Sequence, residues 1–289
     1  MSLVWHINEA GDMLALWTKR GENYMTEQKC IEQVDVLKHN REAWIRESEK
    51  GNIWTMPVDS HTIEEARKGN WSVVLTPTKP VPSDWFPALK GIKLLCLASG
   101  GGQQGPVLAA AGAEVTVFDN CPAQLDKDRL VAERDGLELR TVQGDMRDLS
   151  DFEDESFDLI FHPVSNCFID DIKSVWRECY RVLKKGGVLL AGFGNPLIYI
   201  FDIEQWDKNE KLEVRYRIPY SDIDQLPADQ LESRIKAKET LEFGHSLEDQ
   251  IGGQIKAGFV IAGFYEDTTS GDLLGQHINT KIATKAIKL

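Results

Sequence analysis

A chain of 289 residues, 42% hydrophobic and 27% charged with eight tryptophans, has the composition of a folded globular protein and excludes a disordered or fibrous one. Its formal net charge of −13 argues against a nucleic-acid partner, because Lys and Arg supply most affinity for phosphate backbones. No run approaches the roughly 18 apolar residues of a membrane span, no basic start precedes an apolar core, and the five cysteines form no CxxC pair. The expectation is therefore a cytoplasmic protein with reduced thiols, no secretory signal and no metal.

Residues 1–24 read as a loosely attached arm. Residues 25–50 favour helix, with apolar Val34, Leu37, Ala43, Trp44 and Ile45 near helical spacing and Gly51 as a stop. A shorter helix is expected in "HTIEEARKG", where Thr62 and Glu65 have capping-box spacing and Gly69 ends it. The four prolines of "LTPTKPVPSDWFP" each remove a backbone donor and predict an extended connector. Residues 1–90 are thus expected to be an arm and helical cap, and 91–289 the main domain.

From there strands and helices alternate: "IKLLCLA", "QQGPVLAAAG", "EVTVFD", "PAQLDKDRLVAERDG", "LELRTVQGD", "FDLIFH", "IKSVWRECYRVLKKGG" and "VLLAGFG". Short links between them imply a parallel sheet covered on both faces, with right-handed crossovers. The ending departs from this pattern. "SLEDQIGGQIKAG" reads as a helix capped through Ser246 and Asp249, and "FVIAGFYED" and "TKIATKAIKL" follow as consecutive, hence antiparallel, strands. An insertion at about 197–243 mixes aromatics and charges and reads as a lid beside the ligand crevice. Its Tyr199, Phe201 and Trp206, like "NIWTMPV", read as packing in preference to closure.

The stretch "CLASGGGQQGPVLAAAGAEVTVFDN" carries the chemistry. Gly100, Gly101 and Gly102 follow a first strand, where open parallel sheets bind ligands; they bare the backbone and permit positive φ. Asp119 ends the second strand at the spacing of an acid that holds both hydroxyls of a ribose. Gly100, Gly102 and Gly105 also satisfy the dinucleotide fingerprint GxGxxG, so these residues alone leave a nicotinamide-dependent oxidoreductase open.

Further motifs break the tie. "VQGDMRDL" follows the third strand, "ESFDLIF" forms the fourth, and "RECYRVLKKGGVLLAG" gives a helix, a double-glycine turn and the fifth strand. Over about residues 94–193 the chain resembles the class I S-adenosylmethionine-dependent methyltransferases, in the small-molecule group that includes ubiquinone-biosynthesis enzymes (methyltransferase type 11). The resemblance implies an α/β, doubly wound, mostly parallel seven-stranded sheet with an antiparallel last strand, and methyl transfer to a small-molecule acceptor. It places Ala98, Ser99, Gly100, Gly101 and Gly102 against the methionyl part of the cofactor, Asp119 on the ribose and Asn120 beside the adenine. Gly144, Asp145 and Met146 would meet the adenine, and His162 would lie beneath the methionine portion. Gly186 and Gly187 read as a structural turn.

For the acceptor, Asn166 in "HPVSNCFIDD" and Tyr199 are the candidates; Cys167 has no recognisable partner base, and His245 reads as structural or solvent-facing. Two positions depart from the family: Cys96 stands where an acid is usual and Ala98 where a glycine is. The first removes a carboxylate near the cofactor ammonium, and the second is tolerable only at negative φ. Both keep a degenerate, non-catalytic binding protein among the readings.

Overall fold

The computed structural model describes residues 6–7, 13–14, 34–202, 206, 211–269, 271 and 273–289. Two units result, Met1–Asp35 and Val36–Leu289. In the first, the two-residue strands His6–Ile7 and Met13–Leu14 pair antiparallel; the rest of the expected arm, and residues 25–33 of the expected helix, lie outside the described residues.

The second unit begins with helix α1 (Val36–Lys50), ended by Gly51 at φ 72°. Helix α2 (Ser60–Arg67) starts earlier than expected. Asp59, not Thr62, is its cap, accepting from Thr62 N at 2.8 Å, while Glu65 turns outward to Lys68 and Asn70. An Asp three residues ahead of Thr62 offers the same orphan amides a better-placed carboxylate.

Then come β1 (Lys93–Leu97), α3 (Gln104–Ala110), β2 (Glu114–Asp119), α4 (Pro122–Asp135), β3 (Leu139–Gln143), β4 (Phe157–His162), α5 (Ile172–Val182) and β5 (Leu183–Gly194). Helix α4 takes Pro122 in its first turn, where no donor is lost, and ends at Gly136 in the left-handed region. Helix α5 is capped by Asp171 and buries Ile172, Val175, Trp176, Cys179 and Val182, one stripe at helical spacing. The double-glycine turn lies inside β5: Leu183 opposes Phe157 and Val188 opposes Leu159, so the intervening residues, with Gly186 at φ 77°, loop out of register.

After the insertion, which includes α6 (Ala228–Lys236), Ser246 accepts from Asp249 N at 3.1 Å and starts a wide turn leading to α7 (Gly253–Ala257). Strands β6 (Phe259–Asp267) and β7 (Lys281–Lys288) close the sheet. Its order is β6-β7-β5-β4-β1-β2-β3, parallel from β3 to β5 with β7 antiparallel to both neighbours, as expected.

Strand β1 shows why the sheet is covered twice. Leu94 and Cys96 join one buried cluster with Ile63, Val107 and Val117, while Leu95 and Leu97 join another with Trp176 and Leu189. A strand apolar on both faces requires a layer on each side. Residues 36–90 belong to this same body, since Ile63, Ala66, Val73, Leu75 and Trp85 share the first cluster. The chain leaves β3 at one edge and re-enters at β4 beside β1, so the connections that follow β1 and β4 run in opposite directions. That switch point is where an open sheet leaves a crevice.

Candidate active site

At this crevice lies a cavity of about 430 Å³, walled by Ala98, Ser99 and Gly100 after β1, Asp119 and Asn120 after β2, Gly144, Asp145 and Met146 after β3, and Ser165 to Ile169 beyond β4 apart from Asn166. Leu37, Asn40 and Trp44 of α1, Trp54, Val74 to Pro77, Tyr199, Glu242, His245 and Lys281 are also among its walls. Thus the sequence-predicted Ala98, Ser99, Gly100, Asp119, Asn120, Gly144, Asp145, Met146 and Tyr199 converge.

The glycine loop is held by its own amides. Gly100 N donates to Asp119 Oδ2 at 2.9 Å and Cys121 N to Asp119 Oδ1 at 2.8 Å, so one carboxylate clamps the loop to the start of α4. Burial raises the Asp119 pKa, and the amides of Cys121, Gly100 and Asn120 oppose the shift. A Cβ on Gly100 would meet Gln124 Cβ at 2.8 Å. Gly101 and Gly102 adopt φ of 125° and 73° as expected, but they do not face the cavity: Gly101 N donates to Asp128 Oδ2 at 3.0 Å, and the Gly102 carbonyl accepts from Val58 N at 3.0 Å. Both lie under residues 54–58, which Gln103 pins through the carbonyls of Ile53 and Met56 at 2.9 Å each.

Ala98 corrects an expectation, for its φ is +47°, not negative. Its N–H donates to the Phe118 carbonyl at 2.7 Å, which fixes the turn. A left-handed alanine is strained by about 1–2 kcal/mol, partly offset by the smaller entropy it loses on folding. Ala98→Gly is therefore expected to stabilise the protein by about 0.5–1 kcal/mol. A urea midpoint that rises checks this, and one that falls contradicts the left-handed turn.

Cys96 is fully buried in the first core cluster and does not line the cavity. Burial first, and the Asp128 charge second, push its thiol well above the usual range. The four described cysteines are free thiols.

His162 and Asn166 do not reach the cavity. His162 is fully buried, with Nδ1 2.9 Å from the Leu97 carbonyl and Nε2 2.6 Å from the Asn166 side-chain amide, which lies 2.9 Å from that of Gln250. Burial lowers the His162 pKa, opposed by the hydrogen bonds to the Leu97 carbonyl and to Asn166 Oδ1, and Asn166 Nδ2 donates onward to Gln250 Oε1. The chain ties β1 to the loop after β4 and to the wide turn before α7. His245 joins the same construction, its Nε2 3.0 Å from the Asn166 carbonyl and 2.9 Å from that of Ile169; it is buried, not solvent-facing.

Asp145 lines the cavity, with Arg147 donating to both its oxygens, Nη2 to Oδ2 at 2.7 Å and Nε to Oδ1 at 3.1 Å. Asn120 accepts from Arg41 Nε and donates to the Leu37 carbonyl, both at 2.9 Å, fastening α1 beside the same end. Of the insertion aromatics, Tyr199 faces the cavity, while Phe201 and Trp206 pack edge-on against each other with centroids 6.2 Å apart.

Sequence reasoning missed Asn40, Gln124, Glu242 and Lys281 on this wall. Asn40 Nδ2 donates to the Phe168 and Leu241 carbonyls at 2.9 Å each, and its Oδ1 accepts from Leu241 N at 2.8 Å. Ser99 Oγ and Gln124 Oε1 are buried with no hydrogen-bond partner among the described residues. Buried polar atoms are ordinarily paired, so two orphans on one cavity wall fit a polar ligand; beside Asp119, a hydroxyl-rich, amine-bearing one such as S-adenosylmethionine suits them.

Strand order and glycine loop together define a Rossmann-like methyltransferase. Residues 95–191 match the methyltransferase domain family. The chain is 55% identical over 254 residues to a Bacillus subtilis protein named Uncharacterized methyltransferase YbaJ, covering 88% of this chain and 99% of that one. It is 31% identical over 136 residues to a sterol 24-C-methyltransferase of Aspergillus fumigatus, covering 46% of this chain and 35% of that one. In fold it is similar to an S-adenosylmethionine-dependent methyltransferase from Mesorhizobium loti, with TM-score 0.55 at 16% identity over 71% of this chain and 94% of the other. A putative one from Listeria monocytogenes gives TM-score 0.54 at 15% identity, over 80% of this chain and all of the other. The chain belongs to the class I S-adenosylmethionine-dependent methyltransferases. It is an enzyme whose cofactor is S-adenosylmethionine, and the oxidoreductase and non-catalytic readings are set aside.

Proposed function

We propose that the cavity holds S-adenosylmethionine with its methionyl part along Ala98, Ser99 and Gly100, its ribose on Asp119, and its adenine between Asn120 and Gly144 to Met146, and that a small-molecule acceptor is methylated beside it in the cytoplasm. The observation that carries this reading is the pair of orphaned oxygens, Ser99 Oγ and Gln124 Oε1, on two residues that line the same cavity as Asp119. In it Gly101, Gly102, His162 and Asn166 position the wall and do not touch the cofactor. Residues 197–243 serve as the lid and residues 36–90 as a cap on the main body, and the negative net charge disfavours a nucleic-acid acceptor.

When bound, the cofactor supplies an electrophilic methyl group on a positively charged sulfur. The chain's own residues bind, align and exclude water: Asp119, Asn120 and Ser99 hold polar groups of the cofactor, while Trp44, Trp54 and Phe168 add apolar wall around it. Alignment of this kind supplies roughly 7–11 kcal/mol of barrier reduction.

Thermal unfolding tests the reading. S-adenosylhomocysteine at one hundred times its dissociation constant stabilises by about 2.7 kcal/mol, raising the midpoint by roughly 5–10 °C. Asp119→Ala is expected to abolish that rise, and its ligand-free midpoint separates lost binding from lost folding. A shift with NADH alone would sink the assignment.

A further inference from the structure

Across the cavity from the glycine loop is a polar cluster that cofactor binding does not use. The Tyr199 hydroxyl donates to Glu242 Oε2 at 2.8 Å. Its ring is fixed from both faces: it stacks on Tyr220 at 5.4 Å, and a Cβ on Gly244 would lie 2.7 Å from its Cγ. Glu242 is held from behind, its N–H donating at 2.8 Å to Asp222 Oδ2, and the fully buried Asp222 also takes the Tyr220 hydroxyl at 2.7 Å and Arg234 Nη1 at 3.3 Å. Burial raises the Glu242 pKa against the Tyr199 hydroxyl and the charges of Arg234 and Lys281. Cys167, also on this wall, stays a thiol, because burial pushes it up.

Lys281 is the first residue of β7, opposite Gly194 of β5, and it lines the same cavity. Its charge acts on Glu242 and Cys167, yet its ammonium has no hydrogen-bond or ion-pair partner among the described residues. Tyr199, spending its proton on Glu242 and lying in hydrogen-bond contact with the Cys167 thiol, has an oxygen lone pair to offer a donor in the cavity, and Lys281 offers only donors. A hydroxyl meets both needs, donating to Tyr199 and accepting from Lys281. A protonated amine meets Lys281 with like charge.

Resting on the methyltransferase reading above, we propose that Tyr199, backed by Glu242, takes the proton of a hydroxyl acceptor of the phenol or enol class, and that Lys281 holds the negative charge developing on its oxygen. As that oxygen forms its bond to the methyl carbon with a lone pair, the departing pair returns to sulfur. The acceptor proton moves to Tyr199 Oη, and the Tyr199 proton moves to the Glu242 carboxylate. Charge balances, since one cation and one carboxylate become two neutral groups, and Glu242 sheds the proton to water before the next turnover.

The test uses the full chain saturated with S-adenosylhomocysteine and p-nitrophenol as the probe, whose anion absorbs visible light. Wild type is expected to bind it with the ionisation midpoint lowered by about 1 pH unit or more. Calorimetry in two buffers of different ionisation heat is expected to find the proton retained on the protein. Lys281→Met is expected to abolish the lowering, and Glu242→Gln to release about one proton per phenolate formed. Failure of the probe to bind or ionise, or identical behaviour of either variant, overturns the proposal while binding of S-adenosylhomocysteine leaves the cofactor site standing. Absence of that binding overturns the reading beneath it.

Discussion

Replacing Asn40 by alanine is expected to lower stability by about 3 kcal/mol, from the loss of three buried hydrogen bonds that each leave a group unpaired, and to lower the melting midpoint by roughly 6–12 °C. Asn40 is almost wholly buried, and its amide joins α1 to the loop after β4 and to the insertion at Leu241. Three walls of the cavity meet at one side chain. Asn40→Asp keeps the acceptor for Leu241 N but points a second oxygen at two carbonyls, so it is expected to be no better than alanine. Scanning calorimetry of both variants checks the ordering. An aspartate variant near wild-type stability would mean that packing, not the donor, matters at this position. Because the same walls enclose the cavity proposed for the cofactor, both variants are also expected to bind S-adenosylhomocysteine more weakly.

The second large effect concerns Asp128, fully buried beneath the glycine loop. Its Oδ2 accepts from Gly101 N, and its Oδ1 has no partner among the described residues. Burial, reinforced by the Asp119 charge and opposed by the amides of Gly101 and Gly102, raises its pKa to about 8. An unfolded aspartate titrates near ~3.9. Between about pH 4 and pH 8 the native chain therefore keeps a proton that the unfolded chain has lost, and stability falls as pH rises through that window. The contribution is fully present below the unfolded pKa and gone above the folded one. Asp128→Asn keeps an acceptor for Gly101 and cannot ionise. It is expected to match wild type near pH 4 and to exceed it by roughly 2–4 kcal/mol at pH 8. Urea unfolding across this range gives the difference directly. Parallel profiles would assign Asp128 an ordinary pKa.

Cys96 and Asp128 belong together in this account. The family's usual acid on β1 is absent, Cys96 faces the core instead of the cavity, and a carboxylate from α4 approaches the loop from beneath. Asp128 anchors the loop and does not line the cavity, so it serves the turn and not the ligand.

Much of the proposed cofactor end is legible in the sequence because its determinants are local. Three glycines after an apolar strand, an acid ending the next strand and "QGDM" after the third all follow from runs shorter than about 10 residues. In the sheet these become neighbours automatically, since parallel strands joined by short crossovers bring their carboxyl ends to one edge. The capping of α2 failed for an equally local reason, two candidate caps three residues apart. His162 and Asn166 were misplaced because sequence gives their position at the end of β4 but not their burial. Each spends its polar atoms on the wall itself.

The sequence by itself determined the sheet, its doubly covered faces and the glycine loop with Asp119, while the class of enzyme came from the resemblance of its further motifs to a known family. Those features need only hydrophobic periodicity and turn chemistry, which act over neighbouring residues. Tertiary structure alone decided the left-handed Ala98, the clamp at Asn40 and the meeting of Tyr199, Glu242 and Lys281 on one cavity wall. Asn40 bonds to partners 128 and 201 residues away, and Lys281 reaches the cavity that Tyr199 lines because β7 inserts beside β5. Such pairings arise from packing of distant segments, and no local pattern of residue types encodes which buried donor will face which acceptor.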